Sequence, residues 1–428
     1  MYNLPVRILL LNLYYPPDTS ATAKMAETVA TALAQTHRVS GFVLANPQPN
    51  KVTVLCGRPS YDPTERRPWR LWQTERTGSI RIIRVGSTAF PRFKMKKRVL
   101  NYLTYVKLAV PLALFLRCDV ILAMTDPPFE GIVGAFVALL KRKPFLYNIR
   151  DLYPDMAVGG SIVKPGKISR LWEKLHRWAL RHAAKVIVLG EDMKARIVAK
   201  GVRADRVEIV RDGAEIQPPG AAPPQLDPEV IRAIRGDFKF VLLHAGNLGF
   251  YGTWETLLAA AKILAHENIG FVFVGEGAER SRLEAASGGL KNVKFLPFFT
   301  ASKIPSVRAA PDAHLITIKR GLEGVVVPSK LYGILAAGKP VVAVAPLECD
   351  AASLALAQEF GVAADPDRPE ELANAVRALA ADPEKMDQMS RAARAAAPSY
   401  DRVKELQKFM QIVGGFEAAE NPEEALRS

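Results

Sequence analysis

Short apolar runs alternate with amphipathic, helix-period stretches along almost the whole of this chain, and that alternation leaves few folds open. Buried strands separated by helices build parallel α/β sheets, because each crossover helix returns to cover a sheet face. In the first half the strand candidates are 7–13, 51–55, 80–85, 119–123, 144–149, 185–189 and 206–210, with 39–44 as an awkward extra. The second half supplies 238–244, 270–274, 293–295, 313–318, 340–344 and 361–364. Between them lies IQPPGAAPPQLDP, residues 216–228, with five prolines. Proline cannot donate to a ladder and stiffens the chain, so this stretch reads as a domain connector. A chain of 428 residues exceeds one ordinary core and suits two domains, 1–216 and 217–398. A helix over 400–413, after the Ala-Pro-Ser break at 397–399, is expected to pack back onto the first domain. Residues 40–51 read as an insertion and 414–428 as a frayed tail.

Charge separates the halves. Residues 1–216 carry 35 Lys/Arg against 17 Asp/Glu, whereas the remainder carries 23 against 26. A one-sided basic field points to an anionic partner: nucleic acid, acidic headgroups or a diphosphate. No nucleic-acid reading motif accompanies it, so nucleic acid is not expected. The three cysteines, Cys56, Cys118 and Cys349, are far apart and odd in number, which excludes a disulfide framework and a Cys-based zinc site and fits a reducing compartment. The apolar start, MYNLPVRILLLNLYYPP, is short and closed by a proline pair, and it reads as a first strand rather than a signal peptide.

In open parallel sheets, ligands sit beyond the carboxyl ends of the strands. After the first strand comes YYPPDTSAT, whose Ser20 and Thr22 suit either an anion site or plain N-caps. It contains no Gly-x-Gly-x-x-Gly, which counts against a dinucleotide site. Later strand ends bring Asp126, Arg150 with Asp151, Asp192 and Asp212, so acidic groups collect at one sheet edge. In the second half, Gly246, Asn247 and Gly249 follow one strand and Gly275 and Gly277 the next, and such glycines allow close backbone approach to phosphate. Lys330, beside Pro328 and Ser329 at a helix start, can neutralise a diphosphate with the helix dipole adding to it. Asp365-Pro366-Asp367 has metal-motif spacing but precedes Pro-Glu-Glu and reads as a turn and cap, so no metal is expected.

Taken in order, GNLG (246–249), FVFVGEGAERSRLE (271–284), NVKFLPF (292–298), VPSKLYGILAAGKPVVAV (327–344) and ADPDRPEELANAVRALAADPEKMDQM (364–389) resemble the donor-binding domain of family 4 glycosyltransferases. YYPPDTSATA (14–23), TVLCGRPSY (53–61), TDPPF (125–129) and RDLYPD (150–155) extend the resemblance to the first half. It is nearest to the bacterial fucosaminyltransferase-like members of O-antigen and capsule assembly. The resemblance implies the GT-B fold, two Rossmann-like domains with parallel sheets facing across a cleft. It also implies a retaining enzyme of hexosyl or N-acetylhexosaminyl type, with a nucleoside-diphosphate sugar as substrate and no cofactor. The diphosphate would lie against Gly246, Asn247, Gly249 and Lys330, supported by Ser329, with Pro328 and Tyr332 in the same motif and Gly275 and Gly277 nearby. One departure stands out. Gly333 occupies the place of the family's second glutamate, whose usual role is to bind ribose, leaving Glu323 or Asp350 to substitute.

Loss of the nucleotide builds negative charge on the β-phosphate, which Lys330 and the Gly246–Gly249 turn would stabilise. On the acceptor side Asp151 is the first candidate for a base or orienting group, followed by Asp126 and Arg150. Residues 91–117, PRFKMKKRVLNYLTYVKLAVPLALFLR, open with five Lys/Arg and then turn apolar, but Asn101, Lys107 and Pro111 argue against a spanning helix. The segment reads either as a basic amphipathic helix on an anionic membrane or as a domain helix with a solvated basic start. A lipid-diphosphate-linked saccharide acceptor, met at the inner face of the cell membrane by a cytoplasmic protein, accounts for the charge asymmetry. Two alternatives keep the same fold: a non-hydrolysing nucleotide-sugar epimerase and a non-catalytic sugar-nucleotide-binding relative.

Overall fold

The computed structural model describes residues 6–34, 50–60, 69–90, 95–217, 220 and 222–416. The extra strand candidate at 39–44, most of the proposed insertion and most of the tail lie outside the described residues. The first sheet comprises β1 (Arg7–Leu11), β2 (Lys51–Cys56), β3 (Trp72–Thr77), β4 (Ile80–Val85), β5 (Val120–Ala123), β6 (Phe145–Asn148), β7 (Lys185–Val188) and β8 (Val207–Ile209). Its order is β3-β4-β2-β1-β5-β6-β7-β8, parallel except for the antiparallel β3–β4 pair. The second sheet comprises β9 (Phe240–Ala245), β10 (Ile269–Val274), β11 (Val293–Leu296), β12 (Ala313–Thr317), β13 (Val341–Val344) and β14 (Gly361–Ala364). Its order is β11-β10-β9-β12-β13-β14, parallel throughout.

These strands fall where the apolar runs lie because a strand covered on both faces needs apolar residues at every position. β5, β6 and β13 are buried along their whole length. β3 is the exception. Its sequence, WQTERT, has no apolar run to find, because an edge strand pairs on one side only and its side chains stay largely in water.

Both sheets reverse direction of growth in the middle, between β1 and β5 in the first and between β9 and β12 in the second. At such a point the crossovers leave on opposite faces and open a crevice beyond the strand ends. The two crevices are held together by buried contacts. One apolar cluster runs from Leu13, Tyr147 and Val188 of the first unit to Leu331, Ile334 and Val341 of the second. The chain crosses between the units twice, side by side: Ala214 N–H donates to the Tyr400 carbonyl at 3.0 Å and Arg402 N–H to the Ala214 carbonyl at 2.9 Å. Beyond the second crossing, helix Arg402–Gly414 lays Phe409 and Val413 against the apolar face of the first sheet.

Candidate active site

At the end of β9 the backbone turns through Gly246, at φ +148°, and at the end of β10 through Gly275, at φ +144°. A Cβ on Gly275 would strike the carbonyl oxygen of Gly246, so the two turns pack back to back and neither tolerates a side chain easily. Gly246 N–H donates to the Val274 carbonyl and Leu248 N–H to that of Glu276, both at 2.9 Å. A Cβ on Gly277 would meet the Leu248 backbone. The following turn is pinned by the Tyr251 hydroxyl on the Asn247 carbonyl, at 2.7 Å, and the Trp254 indole on the Gly249 carbonyl, at 2.6 Å. The outcome is a rigid, glycine-lined lip with Asn247 exposed upon it.

Lys330, the first residue of helix Lys330–Ala336, points at this lip. Its Nζ lies 3.0 and 3.1 Å from the two ring nitrogens of His244 and 3.8 Å from where a Gly246 Cβ would be. Burial, with Lys330 adding repulsion, holds His244 well below the ordinary imidazole range, so the ring is neutral. Burial also draws the Lys330 ammonium down to about 7. No carboxylate pairs with Lys330 among the described residues, so an anion bound at its Nζ would supply the missing counter-charge. The sign follows directly. A diphosphate at Nζ raises the Lys330 pKa again, so binding takes up a proton wherever the empty site has lost one. At pH 8 a diphosphate should bind with uptake of most of a proton, and affinity should fall as pH rises through 7 to 9. Calorimetry in two buffers of different ionisation enthalpy reads the uptake directly. Equal heats in both would place the diphosphate away from Lys330.

Across from this lip the first sheet presents Asp126 beyond β5 and Asp151 beyond β6. Burial, then the neighbouring Asp126, push the Asp151 carboxyl up to about 6, against the pull of Arg150 and Arg98. Arg150 itself is tied in an ion pair to Asp212, with both side chains largely buried. Arg98, from helix Met95–Phe115, bonds the Tyr102 hydroxyl at the same place. The two halves meet physically through the backbone. Asp151 pairs with Val326 as an antiparallel bridge, and Leu152 N–H donates to the Val325 carbonyl at 3.0 Å. Val326 leads through Pro328 and Ser329 straight into Lys330, so the carboxylate candidate and the ammonium candidate sit on one joined frame. Asp151 also acts on the Tyr251 hydroxyl, which burial chiefly pushes up to about 12.

The structure therefore gathers Asp126, Arg150 and Asp151 on one side and Gly246, Asn247, Gly249, Gly275, Gly277 and Lys330 on the other. Ser329 is exposed at the helix start and makes no side-chain capping bond. Three further predicted donor groups are engaged by protein partners. Glu323 accepts from the Arg196 guanidinium at 3.1 Å and from Gly321 N–H at 2.7 Å, a link between the two units. Asp350, 2 % exposed, accepts from Arg211 at 2.9 and 3.1 Å and from Glu191 N–H at 3.1 Å, again across the interface. Tyr332 is buried with its ring 5.3 Å from that of Tyr400. At Gly333, a Cβ would lie 2.5 Å from the Arg308 guanidinium, so a cation fills the space beside the missing glutamate. Asp365 and Asp367 both pair with Arg320, at 2.9 and 2.7 Å. Arg98, Tyr251 and Arg308 escaped the sequence reading. Arg98 stands four residues before Tyr102, a visible helix pair, but only the sheet order brings it to Asp151.

Residues 20–213 match the family described as Glycosyl transferase 4-like domain, and residues 232–396 that described as Glycosyl transferases group 1. A candidate colanic acid biosynthesis glycosyl transferase, WcaI of Escherichia coli (strain K12), is 29% identical over 241 residues, 54% of this chain and 58% of its own. The probable glycosyltransferase WbjE of Pseudomonas aeruginosa is 27% identical over 268 residues, 61% of this chain and 66% of its own. The matched region thus spans less than two thirds of the length of each. Among solved structures, Anabaena Alr3699/HepE in complex with UDP superposes with a TM-score of 0.62 at 20% identity, covering 96% of this chain and 100% of that one. The two facing parallel-sheet units are the GT-B fold.

Proposed function

Because this chain belongs to the glycosyltransferases, we propose that it moves a sugar from a nucleoside-diphosphate donor, with retention of configuration, onto a lipid-diphosphate-linked saccharide in cell-surface polysaccharide assembly. The observation that carries the reading is the Lys330 ammonium, short of counter-charge, aimed at the Gly246 lip and joined through Val326 to Asp151. As the bond from the sugar to the β-phosphate breaks, charge grows on the phosphate oxygens. The Lys330 Nζ sits at the Gly246 turn, where that charge would meet it, and a cation held in place beforehand is the condition for effective stabilisation. The bond from the acceptor oxygen to the sugar forms at the same carbon as the bond to the phosphate breaks, and Asp151, mostly ionised at neutral pH with a pKa of about 6, takes the proton that the acceptor hydroxyl gives up. The name of WcaI, a colanic acid biosynthesis glycosyl transferase, supports polysaccharide assembly, and the HepE complex with UDP is the reason to begin the screen with uridine diphosphate sugars. Contact with an anionic membrane through the basic first unit, on the cytoplasmic side, belongs to the same proposal.

The test is turnover of UDP-, GDP-, ADP- and dTDP-sugars with and without a polyprenyl-diphosphate-linked saccharide. Nucleoside diphosphate should appear in step with glycosylated acceptor and only in its presence. Asp151→Asn should keep donor binding and lose roughly 10²- to 10⁴-fold of transfer. Interconversion of the sugar without acceptor would make the protein an epimerase. Donor binding without any turnover would make it a non-catalytic relative, the reading that Gly333 favours.

A further inference from the structure

We propose that the face built by helices Met95–Phe115, Glu130–Lys141 and Lys167–His182 seats the protein in an anionic lipid leaflet, with Lys167–His182 as the embedded element. The inference rests on the lipid-linked acceptor proposed above, but it concerns a surface outside the transfer site. It also moves the main membrane contact from 91–117 alone to a helix on which the charge pattern gave no reason to focus.

Helix Lys167–His182, KISRLWEKLHRWALRH, buries Ser169, His176, Ala179 and Leu180 against the first sheet's layer. Its other apolar residues face outward: Ile168 is 79%, Leu171 58% and Leu175 41% exposed. Their spacing of three and then four residues draws one stripe along the helix. Helix Met95–Phe115 shows a matching stripe, Val99 and Leu103 at 46% and 56% exposed, then Val106 and Val110 one and two turns on. Between the stripes runs a groove of about 460 Å³ with apolar walls: Val106 and Val110, Ile132 and Phe136, Leu175 and Trp178. Contiguous exposed apolar surface of this kind on a soluble protein marks an interaction site. An open apolar trough suits a hydrocarbon chain.

The charges choose the occupant. Lys167, Arg170, Lys174 and Arg181 stand exposed on one side of the Lys167–His182 stripe, with Lys164 exposed just before the helix and Lys107 exposed on helix Met95–Phe115. The one acidic residue of the helix, Glu173, is taken by Lys200 at 2.8 Å and Arg177 at 2.6 Å. Long basic side chains at the rim of an apolar strip reach up to anionic headgroups while their stems lie in the interface. A second copy of this chain is disfavoured, because a two-fold contact would set these cations against themselves. No described helix is long and apolar enough to cross a membrane, so the contact is a surface one. Helix Met95–Phe115 carries Arg98 at the Asp151 end and joins the apolar face further along. Docking there brings the acceptor side of the cleft to the leaflet.

The experiment is flotation of the full chain with phosphatidylcholine vesicles, with and without about 30% phosphatidylglycerol. Wild-type protein should float with the anionic vesicles and come off as salt rises. The triple change Ile168→Glu, Leu171→Glu and Leu175→Glu should weaken flotation at least about tenfold. The same variant should still bind uridine diphosphate and turn over a water-soluble short-chain acceptor, which separates loss of this surface from failure of the transferase reading. Flotation of the variant equal to wild type overturns the proposal. So does a wild-type dimer that ignores vesicles and that the triple change turns into monomer.

Discussion

Lys330→Ala should lower the rate of sugar transfer by about 10²- to 10³-fold, the usual cost of removing one preorganised donor from a developing oxyanion. The loss should fall on kcat with a smaller rise in donor KM, because the charge Lys330 meets is largest when the phosphate departs. Folding should be untouched. Lys330 is held in a position that disfavours its charge, with no carboxylate partner among the described residues, so its removal relieves a cost rather than creating one. A thermal melt should therefore place the variant at or above wild type. Transfer within threefold of wild type would remove Lys330 from the chemistry. A fall in melting temperature alongside the rate would make its role structural. Lys330→Arg should recover little, since a planar guanidinium cannot keep both ring contacts with His244.

The second large effect is on stability. Arg211→Ala should cost about 3–5 kcal/mol, because it strands the Asp350 carboxylate inside the interface with, among the described residues, the Glu191 N–H alone to serve it. The side chains of the pair are 14% and 3% exposed, far from the surface regime in which ion pairs count for little. Asp350 is also bound through its own N–H to Asp192, at 3.0 Å, and Asp192 accepts from Gly324 N–H at 3.0 Å. One break thus reaches three segments. Urea denaturation followed by tryptophan fluorescence should show the midpoint falling, and a change under 1 kcal/mol would mean that water enters the pair. Exchanging both residues for apolar ones of similar size is the milder change, since no charge is then left alone.

Much of the fold is legible in the sequence because buried parallel strands announce themselves as apolar runs; Val120–Ala123 and Val341–Val344 need no context. Trp72–Thr77 is illegible for the opposite reason, being an edge strand whose partner is all that makes it a strand. The glycine lip is readable as Gly-rich strand ends, but not the packing of Gly275 on Gly246, which depends on the register of β9 with β10. Asp350 and Glu323 look like ligand groups in sequence. A carboxylate at a strand end is equally suited to a guanidinium, and Arg211 and Arg196 come from residues over a hundred positions away. Asp151 and Lys330 are visible singly. Their joining through Val326 is a tertiary fact that no local pattern encodes.

The return of helix Arg402–Gly414 to the first sheet has a consequence for the order in which the protein is made. β8 ends at Ile209, but Phe409 and Val413, which cover that sheet's face, emerge from the ribosome about 200 residues later. At about 5–20 residues per second the first sheet waits some tens of seconds, with part of its apolar face bare, while the second unit is synthesised and folds beside it. During that interval the strands must be held by local pairing and by whatever chaperone meets the nascent chain. The half of the protein that is translated first is therefore the half completed last.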